Sequence, residues 1–97
     1  MENAVMNHLL VNDWTVYVGK SGNKEIDFIA NKNNEKVYIQ VAYLLESDKT
    51  IEREFGNLLA IDDNYPKYVV SMDDFSSPNT YKGIKHLTLS EFLLNFR

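Results

Sequence analysis

The sequence predicts an α/β domain: a mixed β-sheet with helices packed on it, in the order α-β-β-β-α-β-β-α. That is an α-β-β-β-α-β core followed by a strand and a helix. Three observations predict it. Apolar residues alternate with period two in "WTVYVGK", "KEIDFIA" and "KVYIQVAY", separated only by "SGN" and "NKNNE", which marks three strands joined by short turns. Residues 2–12 and 48–61 carry apolar side chains at helical spacing instead. A helix between the third and fourth strands makes that pair parallel, through a right-handed crossover.

Val5, Met6, Leu9 and Leu10 give the first helix its apolar stripe. The helix opens almost at residue 1, with no Ser, Thr, Asp or Asn cap before it, so the domain is expected to be cut from a longer polypeptide. The three-strand meander follows over residues 14–43. Ser47 or Asp48 can cap the second helix, whose stripe is Ile51, Phe55, Leu58 and Leu59. Gly56 inside it costs about 1 kcal/mol relative to alanine. Pro66 introduces the fourth strand, "KYVVSM". "DDFSSPNTYKG", residues 73–83, reads as a polar loop with few apolar anchors, and "IKHL" as a short last strand. Thr88 and Glu91, three residues apart, form a capping box for a last helix over 88–95.

Ninety-seven residues make one domain with a single modest core. Without cysteine there are neither disulfides nor thiolate metal sites, and a cytoplasmic location is the default expectation. No apolar run approaches a membrane span, and polar Glu2, Asn3 and Asn7 interrupt any signal-peptide pattern, so no membrane partner is expected. The net charge of −4 argues against a general nucleic-acid coat. Lys20, Lys24, Lys32 and Lys36 flank the two central strands as a local basic edge, interrupted by Glu25, Asp27 and Glu35.

The polar residues inside strands carry the chemistry. Alternation puts Ile26, Phe28 and Ala30 on one face of the second strand and Glu25, Asp27 and Ile29 on the other. In the third strand Val37, Ile39 and Val41 oppose Tyr38, Gln40 and Ala42. Asp27 and Gln40 can therefore meet on neighbouring strands, and Glu2 borders the stripe of the first helix. Two strand oxygens and a helix carboxylate suit a hard cation such as magnesium. The plainer readings are a favourable acid in the first helical turn for Glu2, and mutual hydrogen bonding or a solvated face for Asp27 and Gln40. His8 and His86 lack acid or cysteine companions at ligand spacing, and surface or packing roles suit them. No P-loop and no Ser-His-Asp pattern is present. Core packing explains Trp14 and the strand tyrosines better than base stacking does.

The order of these residues adds to their types. A helix acid, a strand "ID", a strand "IQV" about a dozen residues on, and an α-β crossover resemble the PD-(D/E)XK nuclease superfamily. Nearly the whole chain resembles the C-terminal nuclease-like domain of bacterial and archaeal AAA-type ATPases, through "ENAVMNHLL", "VYVGKSGNKEIDFIA", "YIQVAYLL", "TIEREFGNLLAIDDNYPKYVVS" and "GIKHLTLSEFLL". The resemblance implies a restriction-endonuclease-like fold and, as partner, the ATPase portion of the parent chain, with weak binding to nucleic acid. It assigns Glu2 as the helix acid, Asp27 as the metal-binding aspartate and Gln40 as the Glu or Gln of the (D/E)XK triplet. Ala42 stands where the catalytic lysine belongs, and a methyl group neither positions water nor offsets phosphate charge. Neutral Gln40 also holds a cation less firmly than glutamate. The resemblance thus implies a catalytically degenerate nuclease-like module, with no cofactor or weakly bound magnesium at Asp27 and Gln40. The alternatives are an active magnesium-dependent nuclease using Lys20 or Lys24 in place of the lost lysine, and a pure protein-interaction domain.

Overall fold

A computed structural model describes residues 2–21, 24–42, 48–61, 63–72 and 80–96. Its elements are α1 (Glu2–Val11), β1 (Thr15–Ser21), β2 (Lys24–Lys32), β3 (Glu35–Ala42), α2 (Asp48–Leu59), β4 (Lys67–Ser71), β5 (Thr80–Tyr81), β6 (Ile84–Thr88) and α3 (Leu89–Asn95). The strands form one mixed sheet ordered β1-β2-β3-β4-β6-β5. β1, β2 and β3 are antiparallel to one another in turn, while β3 runs parallel to β4 and β4 to β6. The antiparallel meander and the parallel β3–β4 pair are those that the short turns and the helical crossover predict.

The expected element order lacked one strand. Thr80–Tyr81 pairs antiparallel with β6 instead of lying in a loop. Lys82 and Gly83 make the two-residue turn, both with positive φ (49° and 89°), the backbone that tight hairpins require. Residues 73–79, the rest of the expected loop, lie outside the described residues. Asn33 and Asn34 turn β2 into β3 in the same way, at φ 50° and 70°. Asparagine tolerates that conformation because its short polar side chain bonds locally.

Helices cover both faces of the sheet. On one face Val5 and Leu9 of α1 and Phe92 of α3 pack over Phe28, Ala30, Val37, Ile39, Val41 and Val70. On the other, Phe55 and Leu58 of α2 pack over Ile26, Tyr38, Ala42, Val69 and Ile84. β3 contributes to both layers and is buried from Val37 to Ala42. The helix stripes are narrower than their sequence spacing suggests. Met6, Leu10 and Leu59 are at least 40 % exposed, and the side chain of Ile51 lies outside the described residues, as do Ser47 and the side chain of Asp48. The last helix begins one residue later than expected because Thr88 is its cap: the Glu91 N–H donates to Thr88 Oγ1 at 3.2 Å, and the Thr88 N–H to Glu91 Oε1 at 3.0 Å.

Ile26 departs from simple alternation. It lies with Tyr38 and Ala42 beneath α2, not with Phe28 and Ala30 beneath α1. The reason is a β-bulge. Tyr17 pairs with Ile29, but Gly19 pairs with Ile26, so Val18 alone opposes both Asp27 and Phe28. One extra residue in β2 inverts every face before it.

Candidate functional site

The bulge determines what Asp27 and Gln40 do. The ladder between β2 and β3 ends at Phe28 with Ile39. Beyond that point the two strands part, and backbone N–H groups of β2 and β3 need other acceptors. Side chains supply them. The Asp27 N–H donates to Gln40 Oε1 at 3.2 Å, and the Val41 N–H donates to Asp27 Oδ2 at 2.8 Å. An acid and an amide thus bridge the parted strands reciprocally, and the cost of placing them inside the sheet is offset by the donors they satisfy. The two residues stand on neighbouring strands, but each side chain reaches the backbone of the other strand: Gln40 the Asp27 N–H, and Asp27 the Val41 N–H.

Glu2 is not drawn into that pair. It is exposed in the first turn of α1, and no hydrogen bond or ion pair joins it to another described residue. Its helix packs on the face opposite Ala42. Ala42 is 7 % exposed, with its methyl group in the apolar layer that includes Tyr38, Phe55 and Leu58. The side chains of Lys20 and Lys24 lie outside the described residues; their backbones pair within β1 and β2. Among the described residues no three His, Cys, Asp or Glu side chains group to hold a metal ion. The donor set that is present, one carboxylate and one neutral amide each with an oxygen on a backbone N–H, fits a resident magnesium ion poorly.

Sequence reasoning missed a second polar pair. Ser71 Oγ and His86 Nε2 lie 2.6 Å apart, hydrogen-bonded across β4 and β6, with Ser71 wholly buried and the His86 ring edge-on to Phe55. Gln40, Ser71 and His86 are the buried polar side chains among the described residues. They occupy alternate rows of the sheet, Gln40 beside Val69 and His86, and Ala42 beside Ser71 and Thr88, with Val41, Val70 and Leu87 between. The rows fall at the carboxyl ends of parallel strands, where open α/β sheets commonly bind ligands. A hydroxyl with no solvent exposure cannot meet a substrate, however, so this pair ties β4 to β6. Only the strand register, not the sequence spacing, brings residues 71 and 86 together. His8 has a packing role as expected: its ring lies edge-on to Phe92, and its Nε2 hydrogen-bonds the Phe96 carbonyl at 2.5 Å, fastening α1 to the end of α3.

The opposite end of the sheet is polar in another way. The Tyr38 hydroxyl donates to Asp63 Oδ2 at 2.6 Å, and Lys67 Nζ donates to Asp63 Oδ1 at 2.9 Å. Burial alone would raise the Asp63 carboxyl, but these two bonds and the Tyr65 N–H outweigh it and hold the group below its ordinary range. Burial, followed by the bond to Asp63, pushes the Tyr38 hydroxyl up. Lys36 lies over the rings of Tyr38 and Tyr65, at 5.1 and 5.3 Å, and its ammonium is also raised, first by its interaction with the Tyr38 oxygen.

No protein-family model matches the chain. An uncharacterised protein of Haemophilus influenzae is 37 % identical to it over 94 residues, covering 97 % of this chain. The chain spans 22 % of that relative's length. No helix among the described residues is long and apolar enough to cross a membrane.

Proposed function

We propose that the chain is a catalytically degenerate nuclease-like module, acting in binding and serving an AAA-type ATPase on the same polypeptide. The observation that carries the first part is the pair of bonds by which Gln40 accepts from the Asp27 N–H and Asp27 accepts from the Val41 N–H. Both residues complete the sheet where β2 leaves β3, and Ala42 beside them offers a packed methyl group instead of a cation. Attack on a phosphodiester needs an activated water and compensation for charge growing on phosphate, and neither an amide nor a methyl group supplies them. The link to an ATPase rests on the resemblance, and the greater length of the Haemophilus influenzae relative is consistent with it.

A magnesium titration with a paired cleavage assay tests this reading. Millimolar magnesium should leave the amide resonances of Asp27 and Val41 in place, and single- and double-stranded DNA and RNA should stay intact above background. Cleavage by the native chain that vanishes in Asp27→Asn would overturn the degenerate reading in favour of an active nuclease, and Lys20→Ala and Lys24→Ala would then identify the relocated lysine.

A further inference from the structure

Three grooves open at the end of the sheet away from Asp27, and their linings overlap at Tyr65. The first, about 520 Å³, lies along the β2–β3 turn; the second, about 480 Å³, passes between that turn and the end of α3; the third, about 340 Å³, reaches the β5–β6 turn. All three share Tyr65, which is 45 % exposed. Lysine ammoniums lie over aromatic rings along this end: Lys32 over Trp14 at 5.5 Å, Lys36 over Tyr65 at 5.3 Å, and Lys85 over Tyr68 at 6.0 Å.

The charge here runs against that of the chain. Among the described residues, Lys32, Lys36, Lys67, Lys82 and Lys85 stand at this end against Asp13, Glu35 and Asp63, in a protein of net charge −4. Asp63 is neutralised locally by Lys67 and the Tyr38 hydroxyl. What remains is an exposed ring, Tyr65, with the cations of Lys32, Lys36 and Lys82 spaced around it. Base faces stack on exposed rings while phosphates pair with flanking cations, and a duplex hides the faces that a single strand presents.

We propose that this groove binds single-stranded nucleic acid, with a base stacked on Tyr65 and the phosphodiester backbone along Lys32, Lys36 and Lys82. The proposal rests on the binding role given above but not on the fate of Asp27 and Gln40, which lie at the other end of the sheet. A magnesium titration and an oligonucleotide titration therefore fail separately.

Fluorescence anisotropy of a labelled dT15 oligonucleotide with the 97-residue chain tests it. Three phosphates neutralised on a single strand give a log–log salt slope of about −2, so affinity should fall roughly fifteen-fold between 50 and 200 mM NaCl. Tyr65→Ala should weaken binding roughly tenfold, which corresponds to one stacked base. Lys36→Glu should weaken it further, and Lys49→Glu on the exposed side of α2 should leave it unchanged, with thermal melts confirming that each variant is folded. Binding to a duplex as strong as to dT15, or affinity unaltered in Tyr65→Ala, would overturn the proposal. So would amide shifts confined to the Asp27 end, competition by a proline-rich peptide with no effect of salt, or no binding at 50 mM NaCl.

Discussion

Asp27 serves the sheet by accepting the Val41 N–H on its carboxylate, a bond that a neutral amide oxygen can also make. Asn at this position keeps an acceptor for the Val41 N–H, whereas Ala leaves that donor unpaired in a residue only 8 % exposed. Asp27→Ala should therefore cost about 1–3 kcal/mol in urea denaturation and Asp27→Asn markedly less. Equal losses in both would show that the negative charge, not the acceptor, matters. Asp63 works at the other end and through pH. Its folded carboxyl lies below the ordinary 3.8, so its contribution is in place above about pH 4 and is lost as pH falls through the lower folded value. Urea midpoints measured from pH 5 down to pH 2.5 should fall more steeply for the native chain than for Asp63→Asn. That Asp27 and Gln40 stand on neighbouring strands was legible from the short turn between them. Their purpose was not, because it depends on where β2 and β3 part. Ser71 with His86 was equally hidden, since the pair exists only through the parallel register of β4 and β6.

Elements whose cause is local were legible in the sequence, and those set by partners were not. The capping box at Thr88 and Glu91 and the asparagine turn need only a few neighbouring residues. The bulge needs β1. Period-two reading carried Ile26 to the wrong face because nothing in "KEIDFIA" announces an extra residue. Two-residue β5 was missed because Lys82–Gly83 turns a strand too short to alternate. Two glycines now separate by context. At Gly56, in the middle of α2, an added Cβ meets nothing within 4 Å. Gly56→Ala should stabilise the protein by about 0.4–1 kcal/mol, through helix propensity and a less flexible unfolded chain. At Gly19, facing the bulge, the same methyl group would lie 2.2 Å from Ile29 Cδ1 and 2.8 Å from its Cγ1. Gly19→Ala should cost about 1–3 kcal/mol by overpacking, and Ile29→Val, which removes Cδ1, should recover part of it. Thermal melts of the two single variants and the double variant decide this. No recovery in the double variant would mean that the bulge backbone, not Ile29, resists the change.

Across the whole molecule, the two apolar layers share one sheet, and β3 is where they meet. Val37, Ile39 and Val41 face α1 and α3, while Tyr38 and Ala42 face α2, so the strand is buried on both sides; it pairs with β2 from Glu35 to Ile39 and with β4 from Tyr38 to Ala42. β4 has the same standing between β3 and β6. β1 lies at the sheet's edge, with Tyr17 at 51 % and Val18 at 77 % exposure, and two-residue β5 forms the other edge. Amides that open only when both layers separate report global unfolding, whereas edge amides open by local fraying. Native-state hydrogen exchange should therefore be slowest at Ile39, Val69 and Val70 and faster by orders of magnitude in β1 and β5. Val41 tests the bulge itself, because its N–H is held by a side chain instead of by the β2 backbone. Its exchange should match that of Ile39 in the native chain and accelerate in Asp27→Ala, while Val69 changes only with the overall loss of stability. If Val41 already exchanges as fast as β1 in the native protein, the Asp27 bond does not close the sheet.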